Sequence, residues 1–423
     1  MSRTIQMTLD AIAHGGEAIG RHEGRVVFVP YALPGETVTA EIVEERERWA
    51  RGRLIEVLMP SPDRVAPPCA YFGPGLCGGC QWQHIRYERQ AELKREIVLD
   101  QLRRLGRIDR PNVADTIALA DGDEGDEGPW LLDYGYLNTI RFTVDAEGRL
   151  TLPREGHAGF LPVDACLLVH ERLDELHAAL EVAWPEMTAL SLRCGINTGD
   201  ALVVLETEGE DQPELEVDLP ASLAVQTGRT VAPLIGDPWV FEEVGGRRYR
   251  VSARSFFPPN TAGAGALADV VLAYADPQPE EVIVDAYCGV GLFSLALADA
   301  GSHVIGLESS PAACEDFAIN AGDRENVELH EGPVEEILPA LQEAGLHPNT
   351  VVLDPPHTGA GPDVVAGLAA LQPQRIVLVS GDAAALGRDA AHLVQAGYHL
   401  VEAQPVDLFP QTSRVDSISL WER

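Results

Sequence analysis

The residues that decide the fold are Val282-Ile-Val-Asp-Ala-Tyr-Cys-Gly-Val-Gly-Leu-Phe-Ser-Leu-Ala-Leu-Ala298. The apolar run 282–284 is typical of a parallel strand covered on both faces, and a helical pattern begins at Leu292. Gly289 and Gly291, between the strand and the helix, allow the backbone to turn sharply and to approach a ligand closely. The stretch therefore predicts a strand, a glycine turn and a helix, as at the start of an alternating α/β fold.

An acidic residue, Glu308, follows the next predicted strand, 303–307. In such folds a helix N-terminus favours an anionic group of the ligand, and an acid after the second strand hydrogen-bonds a ribose. The loop here is Gly-x-Gly and lacks the third glycine of dinucleotide-binding turns. The pattern fits an adenosyl ligand without a pyrophosphate better than it fits NAD. A glycine turn without any ligand is the alternative.

Strands and helices alternate from residue 255 onward. Strand-like runs cover 282–286, 303–307, 327–330, 350–353 and 375–379, and helix-like runs cover 262–275, 293–300, 312–320, 334–344 and 383–396. A final strand, 415–421, suits an antiparallel hairpin at the sheet edge. This order predicts a doubly wound, Rossmann-like domain over 253–423.

The first 60 residues predict a small β-barrel of the oligonucleotide-binding type, with strands at 4–9, 25–29, 37–43 and 51–57. A cluster of arginines in this segment is compatible with an RNA contact or with a solvated turn; it comprises Arg46, Arg48, Arg51 and Arg53. Residues 61–252 predict a central α+β domain with an amphipathic helix at 87–105. Within it, the acidic, glycine-rich run 121–128 predicts a solvated loop.

Cys69, Cys77 and Cys80 lie among glycines and prolines, a spacing that allows three thiolates to converge on a metal. A Cys-x-x-Cys pair alone is also compatible with a redox pair. A metal site of this kind needs a fourth ligand, and Cys166 is the next cysteine along the chain. Four thiolates bind zinc or a [4Fe–4S] cluster, so the residues themselves leave both open.

The chain of 423 residues carries 66 Asp and Glu against 31 Lys and Arg, a net charge of −35. Such an excess resembles halophilic proteins, whose acidic surface keeps the chain soluble and monomeric. A protein that avoids polyanions is the alternative, although a local basic groove can persist in an acidic protein. Because the N-terminus lacks a signal-peptide pattern and no apolar run approaches 18 residues, we expect a cytoplasmic protein without a membrane segment. The acidic surface predicts a monomer.

Taken together, these signatures resemble the RNA uracil-5-methyltransferases that modify tRNA and 23S rRNA, over nearly the whole chain. Residues 1–60 are similar to that family's TRAM domain, and Cys-Gly-Gly-Cys-Gln-Trp-Gln-His at 77–84 is similar to its iron–sulfur signature. Matching methyltransferase motifs follow in the family's order: Ser255-Phe-Phe, Asp285-Ala-Tyr-Cys-Gly-Val-Gly, Glu308, Asp354-Pro-Pro and Asp407-Leu-Phe-Pro. The resemblance implies RNA as the partner, S-adenosylmethionine as the cofactor and a [4Fe–4S] cluster, rather than zinc, on Cys69, Cys77, Cys80 and Cys166.

The resemblance also implies a role for individual residues. The cofactor site would comprise Tyr287, Gly289, Gly291, Glu308 and Asp354. Tyr287 would pack on the cofactor and Glu308 would bind the ribose hydroxyls. Asp354 would lie near the adenosyl group or the target base.

In that family a cysteine thiolate adds to carbon 6 of uracil, so that carbon 5 becomes nucleophilic, and a carboxylate then removes the carbon 5 proton. The position of the nucleophile is Gly381 here, and glycine has no side chain that could form the adduct. The closing base, usually glutamate, is Asp416. Further departures are Pro258, His357 and Pro333, which stand where the family has a glutamine, an arginine and an acid or amide.

Three hypotheses follow from the resemblance and its departures. The first is a family member that binds S-adenosylmethionine and RNA but does not use covalent addition. The second is an amino-group methyltransferase in which Asp354-Pro355-Pro356-His357 orients an exocyclic amine and His357 stacks on the base. The third is a non-catalytic RNA-binding or assembly factor. We expect an S-adenosylmethionine-dependent RNA methyltransferase with Asp416 as a candidate base and a structural cluster.

Overall fold

The computed structural model describes residues 3–121, 130–157, 159–180, 184–209 and 220–423. Most of the acidic run 121–128 therefore lies outside the described residues. Within the described ranges, no helix is both long enough and apolar enough to cross a membrane.

The N-terminal segment forms one six-stranded sheet in the order β1-β5-β6-β4-β3-β2. Its strands are β1 (Arg3–Thr8), β2 (Ala11–Ile12), β3 (Ala18–His22), β4 (Arg25–Val29), β5 (Thr37–Glu45) and β6 (Trp49–Met59). The four strands expected from the sequence are confirmed, whereas β2 and β3 were not assigned. Gly20 interrupts the alternation of β3, and a Cβ there would lie 2.3 Å from the Thr8 carbonyl oxygen. Gly20 weakens the strand pattern in the sequence, but the close approach of the Thr8 backbone requires a glycine at this position.

The central segment begins with helix α1 (Tyr87–Arg104), which confirms the amphipathic helix. A short ribbon, β7 (Ala120–Asp121) and β8 (Trp130–Leu131), precedes a seven-stranded sheet ordered β11-β10-β9-β12-β13-β14-β15. The elements of this region are β9 (Thr139–Val144), β10 (Leu150–Pro153), β11 (Phe160–Pro162), α2 (Glu171–Ala179), β12 (Met187–Cys194), β13 (Ala201–Thr207), β14 (Ser222–Thr227) and β15 (Thr230–Ile235). A hairpin of β16 (Trp239–Val244) and β17 (Arg247–Ser252) leads into the C-terminal segment.

The C-terminal segment is a seven-stranded sheet in the order β20-β19-β18-β21-β22-β24-β23. Neighbouring strands from β20 to β22 are parallel, and β24 pairs antiparallel with both β22 and β23. Its elements are α3 (Thr261–Ala275), β18 (Val282–Ala286), α4 (Leu292–Asp299), β19 (His303–Glu308), α5 (Pro311–Ala321), β20 (Val327–Glu331), α6 (Val334–Glu343), β21 (Thr350–Leu353), α7 (Gly361–Ala370), β22 (Arg375–Ser380), α8 (Ala383–Gln395), β23 (His399–Val406) and β24 (Asp416–Glu422). The doubly wound architecture expected from the sequence is confirmed.

Two elements of this domain differ from the sequence-based expectation. The edge hairpin exists, but its outer strand is β23, and β24 lies inside the sheet. Helix α7 was not assigned, because Gly361, Pro362 and Gly367 lower its apparent helix propensity. A Cβ at Gly367 would lie 2.9 Å from a methyl carbon of Leu338 on α6, so close packing of the two helices requires that glycine.

The central and C-terminal segments share buried interactions. Helix α1 and the C-terminal sheet contribute to one hydrophobic cluster that includes Leu93, Ile97 and Val351. Lys94 of α1 is fully buried, and its Nζ lies 2.5 Å from Asp407 Oδ1 and 2.9 Å from the Phe409 carbonyl oxygen. Helix α1 therefore anchors the loop between β23 and β24, which leads to Asp416.

Candidate cofactor and target-base site

The glycine loop lies at the carboxyl end of β18. Tyr287, Gly289 and Gly291 all have positive φ angles, of 66°, 56° and 95°. For a tyrosine this conformation is unfavourable, and such residues concentrate at functional sites. A Cβ at Gly291 would lie 3.1 Å from the Phe317 ring, so that ring as well as the φ angle favours glycine at the start of α4.

Glu308, at the end of β19, closes this loop. Its Oε2 accepts a hydrogen bond from the Gly289 amide at 3.0 Å, and its Oε1 accepts from the Ser309 and Ser310 amides at 2.7 and 2.6 Å. Tyr287 is half-buried next to the loop, and desolvation raises the pKa of its phenol to about 12, which keeps it neutral. The strand order reverses beside β18, the place where doubly wound folds bind their ligands.

Three acidic side chains lie near one another at this edge of the sheet. Burial raises the pKa of Asp285 to about 7 and that of Asp416 to about 7. Desolvation, together with the charges of Asp285 and Asp416, raises the pKa of the partly buried Asp354 to about 8. Asp285 Oδ2 accepts from Ser294 Oγ at 2.5 Å, but Asp285 Oδ1 and Asp416 Oδ2 are buried without a hydrogen-bond partner. Buried acids with raised pKa values and unpartnered oxygens favour a cationic ligand, because its positive charge would stabilise the ionised carboxylates.

A cavity of about 290 Å³ opens close to Asp416, next to Gly381. The cavity lies between the N-terminal segment and three parts of the C-terminal segment: the loop after β21, the start of α8 and the loop before β24. Its lining residues include His14, Gly15, His357, Gly381, Asp382, Ser413 and Arg414. Asp389 of α8 holds the end of the loop after β21, because its carboxylate accepts hydrogen bonds from the Ala360 and Gly361 amides at 2.8 and 3.0 Å. We term this the target cavity. Its lining joins the predicted residues His357 and Gly381 to residues that sequence reasoning missed.

Gly381 lies at the back of the target cavity. A Cβ built on it would lie 2.7 Å from His357 Nδ1, 2.8 Å from His357 Cε1 and 3.1 Å from Asp416 Oδ1. His357 Nε2 lies 3.1 Å from Arg414 Nη2. Desolvation and the Arg414 charge lower the pKa of His357, which favours the neutral imidazole.

The turn between β2 and β3 of the N-terminal segment also contributes to the target cavity. His14 Nε2 lies 2.9 Å from Asp382 Oδ2, and Asp382 caps α8 by accepting from the Ala385 amide at 2.7 Å. No local pattern of the sequence signals this contact. The arginines of the barrel are less available than the sequence indicated: Arg46, Arg51 and Arg53 pair with Glu44, Glu17 and Glu41.

The four predicted metal-binding cysteines, Cys69, Cys77, Cys80 and Cys166, line one further cavity, of about 350 Å³. All four thiols are free. Among the described residues, no three His, Cys, Asp or Glu side chains are close enough to hold a metal ion. The cavity thus brings the four predicted ligands to one place in the central segment.

The strand order and the glycine loop with its neighbouring acids define a doubly wound, Rossmann-like domain with a ligand site at the carboxyl end of β18. Residues 3–55 match the TRAM domain family, and residues 242–423 match the family described as tRNA (uracil-5-)-methyltransferase. The chain therefore belongs to the S-adenosylmethionine-dependent RNA (uracil-5-)methyltransferase family, and the expectation from the sequence is confirmed.

Full-length relatives agree with this assignment. An uncharacterised RNA methyltransferase of Streptomyces coelicolor is 36% identical over 429 residues, which cover 99% of this chain and 92% of that protein. One from Halalkalibacterium halodurans is 30% identical over 455 residues, with 99% and 96% covered. The fold is similar to that of the Pyrococcus abyssi tRNA (uracil-54, C5)-methyltransferase in complex with S-adenosyl-L-homocysteine. That match has a TM-score of 0.74 at 23% identity and covers 99% of this chain and 100% of the other.

Proposed function

We propose that this protein methylates an RNA base, in rRNA or tRNA, without covalent addition of a cysteine to the base. The observation that carries the proposal is Gly381, which has no side chain and on which a Cβ would lie 2.7 Å from the His357 ring. The described cysteines outside the proposed metal site are buried, and desolvation raises the thiol pKa of Cys194 to about 12, of Cys314 to about 11 and of Cys288 well above its ordinary value. A buried neutral thiol is a poor nucleophile.

S-adenosylmethionine is proposed to bind at the glycine loop through Tyr287, Gly289, Gly291, Glu308 and Asp354. The buried acids support this assignment, because the cofactor carries a positive sulfonium and a positive ammonium group. The Asp285 and Asp354 carboxylates would stabilise these charges. The bound cofactor supplies the methyl group, and the residues of the chain orient it toward the target cavity.

The acceptor is proposed to be an atom that is nucleophilic without activation by a thiolate, such as an exocyclic amine. Asp354-Pro355-Pro356-His357 supports this reading, because a carboxylate and a backbone carbonyl at the end of β21 can both accept hydrogen bonds from an amine. In the transfer the sulfur–carbon bond breaks as the nitrogen–carbon bond forms. The proton lost by nitrogen then passes to a nearby carboxylate, for which Asp354 and Asp416 are the candidates.

Three further features complete the proposal. The chain is organised as a TRAM barrel (1–60), a central domain (61–252) and the methyltransferase domain (253–423), with RNA bound across the barrel and the target cavity. Cys69, Cys77, Cys80 and Cys166 would hold a [4Fe–4S] cluster that joins distant parts of the central domain. The acidic surface would suit a salt-rich cell, while the monomeric state and cytoplasmic location stay predictions.

The deciding experiment is nucleoside mass spectrometry of rRNA and tRNA from cells with and without the gene. We expect one methylated nucleoside to disappear on deletion and to return when the parent gene is restored. RNA that contains 5-fluorouridine should form no stable adduct with the protein, and a stable adduct would contradict the non-covalent route. If the purified protein fails to bind S-adenosylmethionine at millimolar concentration, the methyltransferase proposal is wrong. The protein would then be a non-catalytic RNA-binding factor.

A further inference from the structure

Gly381 and His357, two departures from the family's sequence pattern, meet in the target cavity. Gly381 is not among the glycines with a positive φ angle, so its backbone conformation is open to any residue. The space around Gly381, in contrast, is restricted. A Cβ would lie 2.7 and 2.8 Å from two atoms of the His357 ring, which is closer than non-bonded contact allows. It is therefore the imidazole, together with Asp416 Oδ1 at 3.1 Å, and not the backbone conformation, that leaves no room for a side chain at position 381 unless the ring moves.

Two polar contacts hold the His357 ring in this position. Its Nε2 accepts a hydrogen bond from the Arg414 guanidinium at 3.1 Å, and the ring also hydrogen-bonds the backbone of Gly381. The guanidinium itself lies over the Phe409 ring, 3.8 Å from its centroid. A side chain at 381 would thus displace an imidazole that these two contacts hold in place. His357 is exposed, so its ring is accessible to a planar group in the cavity.

We propose that His357 is the specificity-determining residue of the target cavity and that Gly381 makes room for it. The ring takes the volume that a nucleophilic side chain would need and presents a neutral stacking surface to the base. The cavity then selects bases that accept a methyl group directly, because no group is left to add to a pyrimidine ring. The statement that the ligand is an RNA base rests on the proposed function. The contact between His357 and Gly381 does not depend on it.

That relationship is tested on the ligand-free protein with a double-mutant cycle of Gly381→Cys, His357→Ala and the double variant. Gly381→Cys should lower Tm by roughly 2–5 °C, because overpacking displaces the ring. It should also raise the pKa of His357 toward the ordinary histidine value, as followed by NMR of labelled histidine with His357→Ala for assignment. The double variant should regain part of the lost Tm, so that the two changes are not additive.

The matched control is Gly15→Cys, which adds a thiol to the same cavity. A Cβ at Gly15 has nothing within 4 Å, and Gly15 is not among the positive-φ glycines, so neither Tm nor the His357 pKa should change. The inference is overturned if Gly381→Cys keeps the parent's Tm and the parent's His357 pKa. If the cysteine variants do not fold, the same cycle is measured with Gly381→Ala, His357→Gly and their double variant. Alanine adds only one carbon atom at position 381.

A second readout uses a tRNA transcript made with 5-fluorouridine, together with S-adenosylmethionine. An adduct formed by the double variant but not by Gly381→Cys supports the inference, because the thiol needs the space that His357 vacates. An adduct formed equally by both variants overturns it. Should the proposed function itself be wrong, neither variant reacts with RNA, and the Tm cycle still decides whether His357 and Gly381 exclude a side chain.

Discussion

His14, in the turn between β2 and β3, donates a hydrogen bond from Nε2 to Asp382 Oδ2 at the start of α8, over 2.9 Å. The contact joins the TRAM barrel to the wall of the target cavity, although 1–60 and 253–423 lie at opposite ends of the chain. The barrel therefore contributes a residue to the cavity, in addition to any RNA surface of its own. Since both side chains are partly exposed, the pair adds little to stability, and its main effect is expected on the substrate.

We predict that His14→Ala raises the KM for RNA several-fold and leaves the affinity for S-adenosylmethionine unchanged. The free energy of unfolding should fall by less than about 1 kcal/mol, the usual range for exposed pairs. Asp382→Ala should be more destabilising, by about 1–2 kcal/mol, because the helix also loses its cap. Urea denaturation and steady-state kinetics measure these changes. Equal destabilisation by both variants would contradict the assigned cap.

A second prediction concerns Lys94 and Asp407, which are both fully buried. Lys94→Ala should reduce the free energy of unfolding by about 3–5 kcal/mol, because Asp407 would be left as an unpaired buried acid. The control is the exposed pair Arg104–Asp100, 3.2 Å apart, for which Arg104→Ala should change stability by less than about 0.5 kcal/mol. The double variant Lys94→Met with Asp407→Leu should recover part of the loss. A Lys94→Ala protein as stable as the parent would refute the buried pair.

The sequence predicts those features that depend on local pattern. Buried runs such as Val351–Val352 identify parallel strands, and the glycine loop with Glu308 identifies the cofactor site, because each signal lies within a few residues. Gly367 shows the opposite case, since the close contact between α6 and α7 requires a residue that weakens the helical pattern. His14, Arg414 and Lys94 could not be assigned, because their partners are set by the packing of distant segments.

The cysteine cavity leads to a third prediction. Protein purified without oxygen should contain about four iron atoms per chain and little zinc, as expected for a [4Fe–4S] cluster. Cys166→Ser should lose the iron and lower Tm, because the thiolates then no longer join the loop at 69–80 to residue 166. Cys194→Ala is the control, since Cys194 is buried away from the cavity lining and should keep the iron. One zinc per chain in place of iron would contradict the cluster.

A fourth prediction follows from the acids beside the glycine loop. The pKa values of about 7 for Asp285 and Asp416 and about 8 for Asp354 lie above the ordinary aspartate value of 3.8. The folded protein therefore holds protons that the unfolded chain has released. The stabilisation that these acids give the folded protein should decrease as pH rises from about 4, and the decrease should level off above about pH 8.

A cationic ligand reverses this effect, because it stabilises the carboxylates and expels their protons. The affinity for S-adenosylmethionine should therefore rise between about pH 6 and pH 8, with proton release on binding. Calorimetric titration in buffers of different ionisation enthalpy measures the protons released. Asp285→Asn should reduce both the proton release and the pH dependence. Asp299→Asn is the control and should change neither; Asp299 forms partly exposed ion pairs with Arg247 and Arg324. An affinity that does not vary with pH would mean that the acids do not face the positive groups of the cofactor.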